Sequence, residues 1–171
     1  MRLILFRHGP AEARDPRRWP DDRLRPLTEK GETRTRQAAR GVRRLEGGIR
    51  VVLTSPLARC LRTAELLAHE TEAMNGVQPV AALAPGGSWR AMLARLAEES
   101  PEATIVAVGH EPDLGKLAGV LLFGAPAGMP IKKAGACSIA IEESIAAGNG
   151  RLRWFLPPRT LARLAPSRSK V

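Results

Sequence analysis

The stretch Leu3-Ile4-Leu5-Phe6-Arg7-His8-Gly9 decides the fold, because an apolar run ends there in an arginine, a histidine and a glycine. A short apolar run bounded by a loop predicts a buried first strand. Ligands of open α/β sheets bind beyond the carboxyl ends of the strands, so we expect Arg7 and His8 at the rim of a site. Gly9 would let the backbone approach the ligand, a guanidinium group suits phosphate, and neutral imidazole is a nucleophile. An arginine and a histidine on an ordinary exposed surface could have the same sequence, so other segments of the chain must decide between the two interpretations.

Two more segments repeat the pattern of a strand, a turn, a basic side chain and a helix start. The run Val51-Val52-Leu53-Thr54 leads through Ser55-Pro56 to Arg59, and the run Ile105-Val106-Ala107-Val108 leads into Gly109-His110-Glu111-Pro112. Proline is favoured in the first turn of a helix, so both prolines indicate helix starts. The three strand ends are therefore expected to bring Arg7, His8, Arg59 and His110 to one edge of the sheet. Arg25, in the long loop after the first strand, is a candidate clamp.

The order of elements predicts an α/β fold, a three-layer sandwich in which helices flank a mostly parallel mixed sheet. Turn residues between the last two strands indicate a hairpin, which adds an antiparallel edge near the C-terminus. Residues 1–158 are expected to form one domain, and residues 159–171 a basic and partly disordered C-terminal tail. The strands are predicted at residues 2–6, 50–54, 78–83, 104–108, 137–142 and 151–156, and the helices at residues 28–45, 56–70, 89–99 and 112–122.

The chain resembles the histidine phosphatase superfamily, and within it the SixA-type phosphohistidine phosphatases. The matching stretches are Arg7-His8-Gly9, Asp22 through Thr28 with Gly31, Ser55 through Ala64, and Gly109-His110. The resemblance implies a phosphoglycerate mutase-like fold and a covalent phosphohistidine intermediate on His8. It implies that the phosphoryl group is bound by Arg7, Arg25, Arg59, His110 and Gly9. It also implies that no metal or organic cofactor takes part, and that the substrate is a phosphorylated protein such as a phosphotransfer domain.

The chemistry of phosphoryl transfer explains these residue types independently. The reaction asks the protein mainly to position the reactants and to stabilise charge on the equatorial oxygens, which guanidinium groups can do. His8 must be neutral at its attacking nitrogen, and nearby arginines disfavour the imidazolium form. Its other ring nitrogen is expected to donate to a backbone carbonyl. His110 is interpreted as a donor to the phosphoryl group.

Members of the superfamily that cleave phosphate esters often carry a carboxylic acid after the third strand, whereas residues 79–97 contain no acidic residue here. An imidazole leaving group needs less protonation than an alkoxide, so this absence favours a phosphohistidine substrate. Asp22 and Glu111 are the possible substitutes for the acid. Asp22 is also placed to orient Arg25, and Glu111 to cap a helix. Ser55 is interpreted as a helix cap that also orients Arg59.

The composition leaves the partner open. The 171 residues are 44% hydrophobic and carry a formal net charge of +10, which suits anionic partners such as phosphoproteins or nucleic acid. A basic nucleic-acid-binding module is the alternative from another class, but aromatic residues are only 4% of the chain and provide few stacking surfaces. A phosphatase of small metabolites or nucleotides is the alternative within enzymes. Trp19 is expected to cover the pocket mouth, to contact a protein substrate or to pack locally.

We expect a monomer in the cytoplasm. The first residues show neither a signal peptide nor a membrane-spanning run, and the two cysteines have no metal-ligand spacing. Both cysteines are interpreted as small apolar residues that stay reduced.

Overall fold

The computed structural model describes residues 1–165, in which six strands and five helices alternate along most of the chain. The strands are β1 (Arg2–Arg7), β2 (Ile49–Thr54), β3 (Val77–Pro79), β4 (Thr104–Gly109), β5 (Ala136–Ile141) and β6 (Gly150–Leu156). The helices are α1 (Glu29–Leu45), α2 (Ala58–Thr71), α3 (Trp89–Leu96), α4 (Asp113–Phe123) and α5 (Pro158–Leu164). None of the helices within residues 1–165 combines the length and the apolar character that crossing a membrane requires.

The six strands form one mixed sheet in the order β3-β2-β4-β1-β5-β6. Strands β3, β2, β4 and β1 are mutually parallel, while β5 and β6 run antiparallel at one edge. The predicted α/β fold with an antiparallel edge near the C-terminus is therefore confirmed. Because the parallel strands share one direction, the carboxyl ends of β1, β2 and β4 meet at the same edge of the sheet, where Arg7 pairs with Gly109.

Both faces of the sheet are covered, and the side chains of β1 show how. Leu3 and Leu5 pack into the core cluster beneath α3 and α4, whereas Ile4 and Phe6 pack into the cluster beneath α1, α2 and α5. All four side chains are fully buried. A strand that is apolar on both faces is typical of a parallel sheet between two helical layers, which explains the uninterrupted apolar run of the sequence.

Two predicted elements differ from the structure. The third strand ends at Pro79 instead of residue 83, and a 3-10 turn follows at Ala81–Leu83. Proline has no N–H to donate to a ladder, so the strand stops where it lies at the edge of the sheet. The predicted tail, residues 159–171, is wrong at its start, because residues 159–164 belong to α5, which packs on α1 with Leu161 fully buried. The remaining tail, residues 166–171, lies outside the described residues.

A buried carboxylate network lies at the opposite end of β1 from Arg7, and the sequence analysis did not find it. Glu46, whose side chain is inaccessible to solvent, accepts hydrogen bonds from Arg2 Nη1 at 3.1 Å, Ser138 Oγ at 3.0 Å, Arg153 Nε at 3.3 Å and Trp154 Nε1 at 3.0 Å. Burial alone would raise the pKa of Glu46, but these hydrogen bonds and the charge of Arg153 outweigh it and hold the pKa below its usual value. This network, here called the Glu46 cluster, joins α1 to β1, β5 and β6.

Candidate active site

His8 stands at the carboxyl end of β1, where the chain leaves the sheet. Its backbone N–H donates to Gly109 O at 3.2 Å, which ties the end of β1 to the end of β4. The ring Nδ1 lies 2.7 Å from Gly9 O, and since a carbonyl can only accept, Nδ1 carries the proton. Within residues 1–165, Nε2 makes no hydrogen bond and is not sealed from solvent. The neutral tautomer therefore presents an unprotonated Nε2, as the sequence analysis predicts.

The pKa of His8 is lowered to about 3. Burial of the ring is the largest cause, and the charges of His110, Arg59 and Arg7 lower the pKa further, while the bond to Gly9 O opposes them. The predicted effect of the arginines is present, but burial exceeds it. At neutral pH the imidazole is uncharged and can act as a nucleophile.

Gly9 has a different role from the predicted binding of phosphate. Its N–H donates to Thr63 Oγ1 at 3.1 Å and is therefore already engaged. A Cβ at this position would collide with Thr35 Oγ1, so glycine is required because α1 packs directly against the turn. Gly9 thus serves the site by this close packing and by the carbonyl that fixes the tautomer of His8.

Arg7 is held by the segment that precedes β5. Its Nη1 donates to Ile131 O at 2.9 Å, and its buried Nε has no hydrogen-bond partner within the described part of the chain. The guanidinium is therefore oriented by one backbone bond and keeps free donors. A planar group fixed in this way is suited to the oxygens of a phosphoryl group.

Asp22 joins the two other arginines of the site. Its Oδ1 accepts from Arg25 Nε at 2.8 Å, and its Oδ2 lies 3.2 Å from Arg59 Nη2. Arg59 Nη1 also donates to Asp22 O at 2.9 Å, and Arg25 Nη1 donates to Glu12 O at 2.8 Å. The hydrogen bond from Arg25 is the main reason that the pKa of Asp22 lies below its usual range. Asp22 is therefore ionised at neutral pH and orients both cations, which is the structural role that the sequence analysis favours.

The loop that carries Arg25 is anchored by the start of α1. Thr28 caps this helix, since its Oγ1 accepts from Gly31 N at 2.9 Å, and Thr28 N donates to Pro10 O at 3.1 Å. A Cβ on Gly31 would collide with Pro10 O. The Arg-Pro-Leu-Thr-x-x-Gly motif thus combines a cation, a cap and a close backbone crossing that only glycine allows.

His110 and Ser55 form a second buried pair at the ends of β4 and β2. His110 Nε2 lies 2.9 Å from Ser55 Oγ and 3.4 Å from Cys60 Sγ, and its ring centre is 5.1 Å from that of His8. The pKa of His110 is lowered to about 4, first by burial and then by the charge of Arg59. Ser55 therefore orients His110, and the expectation that it orients Arg59 is wrong. Its capping bond from Leu57 N is long, at 3.4 Å.

Glu111 contacts the backbone segment that holds Arg7. Its Oε1 accepts from Ile131 N at 3.0 Å, and the backbone N–H of Gly115, in the first turn of α4, also favours the ionised carboxylate by lowering its pKa. Pro112, directly before the helix, makes no side-chain capping bond. Burial is the largest cause of a raised pKa for Glu111. Arg7 Nη1 donates to the carbonyl oxygen of the same residue, so Glu111 and Arg7 both fix the backbone of Ile131.

The loop that follows β3 carries no acid, and a carboxylate from another element reaches it. Asp113 Oδ2, at the start of α4, accepts from Gly86 N at 2.8 Å. Trp19 is half-buried, with the guanidinium carbon of Arg18 5.4 Å from the centre of its ring, and the roles predicted for this tryptophan stay predictions. In residues 1–165 no group of three or more His, Cys, Asp and Glu residues has the arrangement of a metal site.

Lys133 is the site residue that the sequence analysis missed. Its side chain is largely exposed, and its pKa is lowered first by burial and then by the charges of Arg7, Arg25 and Arg59. Ala134, the next residue, donates its N–H to Arg7 O at 3.1 Å, so the backbone of Lys133 lies beside the end of β1. The sequence offers no signal for this position, because Lys132-Lys133 reads as an ordinary solvated pair.

Comparison with known proteins identifies the family. The model of the histidine phosphatase superfamily (branch 1) matches residues 3–104. An uncharacterised protein of Picosynechococcus sp. is 44% identical over 138 residues, which cover 79% of this chain and 82% of that protein.

Solved structures show the same fold. The protein histidine phosphatase SixA, complexed with tungstate, has a TM-score of 0.82 and 26% identity, with 94% of this chain and 99% of that chain covered. A phosphoserine phosphatase of Entamoeba histolytica, in complex with phosphoserine, has a TM-score of 0.66 and 17% identity, with 92% and 98% covered. The likeness to SixA-type proteins is confirmed, while the second structure has the same fold and another substrate.

Proposed function

The chain belongs to branch 1 of the histidine phosphatase superfamily, and we propose that it is a phosphohistidine phosphatase that acts on a phosphorylated protein. The observation that carries the proposal is the environment of His8. Its Nδ1–H donates to Gly9 O and its Nε2 is unprotonated. The charges of Arg7 and Arg59 both lower the pKa of the ring. An oriented neutral imidazole beside fixed cations has the properties of a nucleophile toward phosphorus.

The reaction has two steps. His8 Nε2 donates its electron pair to phosphorus, and the P–N bond of the substrate breaks. The electron pair of that bond stays on the departing nitrogen. The other nitrogen of this imidazole already carries a proton, so the leaving group is neutral. Water then attacks the phosphorus on His8, inorganic phosphate leaves, and Nε2 regains its electron pair. In both steps the developing charge on the phosphoryl oxygens is stabilised by Arg7, Arg25, Arg59 and His110. The proton of His8 stays on Nδ1, hydrogen-bonded to Gly9 O, throughout.

Two observations favour a leaving group that departs from nitrogen. No acidic residue occurs in residues 79–97, and Asp22, the carboxylate between two site arginines, is ionised at neutral pH. An alkoxide leaving group would require a carboxylic acid near the scissile bond, whereas a protonated imidazole leaves without one. The two buried unpaired cysteines fit a reducing compartment, and we place the reaction in the cytoplasm.

A phosphatase of small phosphorylated compounds is the second candidate, and Glu111 is the observation that favours it. Its carboxyl has a raised pKa and follows His110 directly in the chain. A carboxyl whose pKa rises toward neutrality can donate a proton to an ester oxygen. Against this role, the carboxylate already accepts the N–H of Ile131 at 3.0 Å.

Three arginines on α1 are paired with carboxylates, which weakens the case for a nucleic-acid-binding module. On α1, Arg36 and Arg40 share Glu70, and Arg43 pairs with Glu72. Paired arginines have fewer free donors for a phosphate backbone.

A panel of substrates tests the proposal. Wild-type protein and the His8→Ala variant are assayed with a phosphohistidine peptide, a phosphorylated phosphotransfer domain, nucleotides and sugar phosphates, with and without a chelator. We expect hydrolysis of the two phosphohistidine substrates by the wild type alone, unaffected by the chelator. Faster hydrolysis of sugar phosphates would favour the second candidate. Undiminished activity of His8→Ala with salt-sensitive RNA binding would favour the nucleic-acid module.

A further inference from the structure

The turn before β5 is bonded directly to the end of β1. Arg7 Nη1 donates to Ile131 O, Arg7 N donates to Gly135 O at 3.1 Å, and Ala134 N lies 3.1 Å from Arg7 O and 3.2 Å from His8 O. Because these bonds involve both residues that precede Gly9 in the site, the turn cannot move independently of the nucleophile. Residues 131–135 are here called the β5 turn.

The backbone of the β5 turn is held in a conformation that it would not adopt freely. Ala134 is fully buried and has a φ of 57°, in the left-handed region that non-glycine residues rarely occupy. Such a conformation persists only where surrounding contacts determine it, and it occurs often at functional sites. The bonds from Arg7 and His8 are those contacts. Lys133, directly before Ala134, therefore starts from a fixed backbone position beside the pocket.

Lys133, like Arg7, has no anionic partner within the described residues. No carboxylate of residues 1–165 comes within 4.0 Å of its ammonium group, whereas Arg25 and Arg59 share Asp22. The charges of Arg7, Arg25 and Arg59 lower the pKa of Lys133, and the β5 turn that carries it is bonded to Arg7, so Lys133 lies beside these cations. Uncompensated positive charge at the rim of an anion site favours a ligand with a further negative group.

We propose that Lys133 binds a carboxylate that the substrate carries beside its phosphoryl group. This inference rests on the proposed function, because it takes the pocket of His8 as the place where the phosphoryl group is bound. The carboxylate has two possible sources, which share one chemistry. One is an acidic side chain next to the phosphohistidine of a protein, and the other is a small phosphorylated carboxylic acid.

The test uses substrates that differ by one carboxylate. Phosphohistidine peptides with Glu or Gln beside the phosphohistidine form one pair, and phosphoserine with phosphoethanolamine forms the other. Each is assayed with wild-type protein, Lys133→Met, Lys133→Arg and the control Lys132→Met, which changes the exposed neighbour. A charge-assisted hydrogen bond predicts that Lys133→Met raises KM for the carboxylate-bearing substrate about tenfold, with kcat unchanged. We expect Lys133→Arg to retain most of the affinity, and Lys132→Met to have no effect.

The outcomes separate this inference from the proposed function. A KM effect confined to the Glu peptide supports both, and one confined to phosphoserine supports the role of Lys133 while contradicting the phosphohistidine substrate. If Lys133→Met raises KM equally for both substrates of each pair, Lys133 does not recognise a carboxylate. The same holds if Lys132→Met reproduces the effect of Lys133→Met. In either of these last cases hydrolysis of the phosphohistidine peptides by the wild type would still stand.

Discussion

The two ends of β1 carry two ionic clusters of opposite design. At its start, Glu46 is one buried carboxylate that receives hydrogen bonds from four side chains. At its end, His8 is a neutral ring among cations, and Arg7 and Arg59 each keep a buried Nε without a partner in residues 1–165. A cluster whose polar groups are all satisfied stabilises the fold, whereas unsatisfied donors and excess cations are suited to an anion that is not part of the chain.

The largest expected effect is at His8. The variant His8→Ala is predicted to lose about 10³-fold or more of kcat, because it removes the nucleophile itself. Its free energy of unfolding should change little compared with that of a variant in the Glu46 cluster. Steady-state kinetics and urea denaturation of the same preparation measure both. Retained turnover in a folded His8→Ala variant would contradict the covalent mechanism.

The Glu46 cluster should respond in the opposite way. The variant Glu46→Ala leaves Arg2, Arg153 and Trp154 without their acceptor, so we expect a loss of about 3–5 kcal/mol in the free energy of unfolding. Its kcat/KM at a temperature where it is folded should stay near the wild-type value. Glu72→Ala is the matched control, since this exposed residue has one surface ion pair and should cost about 1 kcal/mol or less. A Glu46→Ala variant as stable as the control would remove the contrast between the two clusters.

Removal of one cation of the pocket is predicted to cost less than removal of the nucleophile. For Arg59→Met we expect kcat/KM to fall about 10²- to 10³-fold, because the variant loses one fixed donor group for the transition state. Arg62→Met is the control on the same helix, since Arg62 pairs with Glu32 and Glu65 away from the pocket. Equal kinetics of the two variants would show that Arg59 does not bind the phosphoryl group.

These variants also show what the sequence alone could predict. The residues of the predicted site lie at strand ends or in the helix turn that follows, and the regular order of strand and helix brings His8, Arg59 and His110 together without knowledge of side-chain contacts. Glu46 and Lys133 could not be found in this way. Glu46 lies at the end of a helix among exposed arginines, and its burial depends on the hairpin packing from far along the chain. Lys133 depends on the conformation of the β5 turn.

Individual partners were predicted less well than positions. Ser55 was expected to orient Arg59, yet its hydroxyl lies 2.9 Å from His110 Nε2, because β2 and β4 are neighbours in the sheet. The predicted basic tail is wrong over residues 159–164 because Leu161, among the arginines of α5, is an apolar anchor that is fully buried. Periodicity over seven residues is too short to reveal such an anchor.

A bound anion should stabilise the end of β1 directly. Inorganic phosphate at about a hundred times its dissociation constant is predicted to raise Tm by about 5–10 °C, because the ligand binds only the folded state. Arg59→Met should show a much smaller increase at the same concentration, whereas Glu46→Ala should show the full increase from a lower starting Tm. Differential scanning fluorimetry measures all three. An equal increase in Arg59→Met would place the anion elsewhere.

The smallest predicted effect is on the pH dependence of stability. The pKa of His8 is about 3 in the folded protein and near its ordinary value in the unfolded chain, so the unfolded state binds one more proton between these values. Stability is therefore complete above about pH 6.5 and falls as the pH is lowered toward 3, by about 1 kcal/mol per pH unit from this residue. The variant His8→Gln should lose stability less steeply on acidification. Urea denaturation between pH 7 and 4.5 compares the slopes, and identical slopes would contradict the burial of a neutral His8.

The most direct test of the central claim is to trap the phosphoryl group on the protein. Wild-type protein is mixed with a ³²P-labelled phosphohistidine substrate, quenched within one turnover in alkali and digested for mass spectrometry. We predict an alkali-stable, acid-labile label on the peptide that contains His8, absent in His8→Ala, which disappears as inorganic phosphate is released. Label on another residue, or full release of phosphate with no labelled protein at any time, would contradict the mechanism.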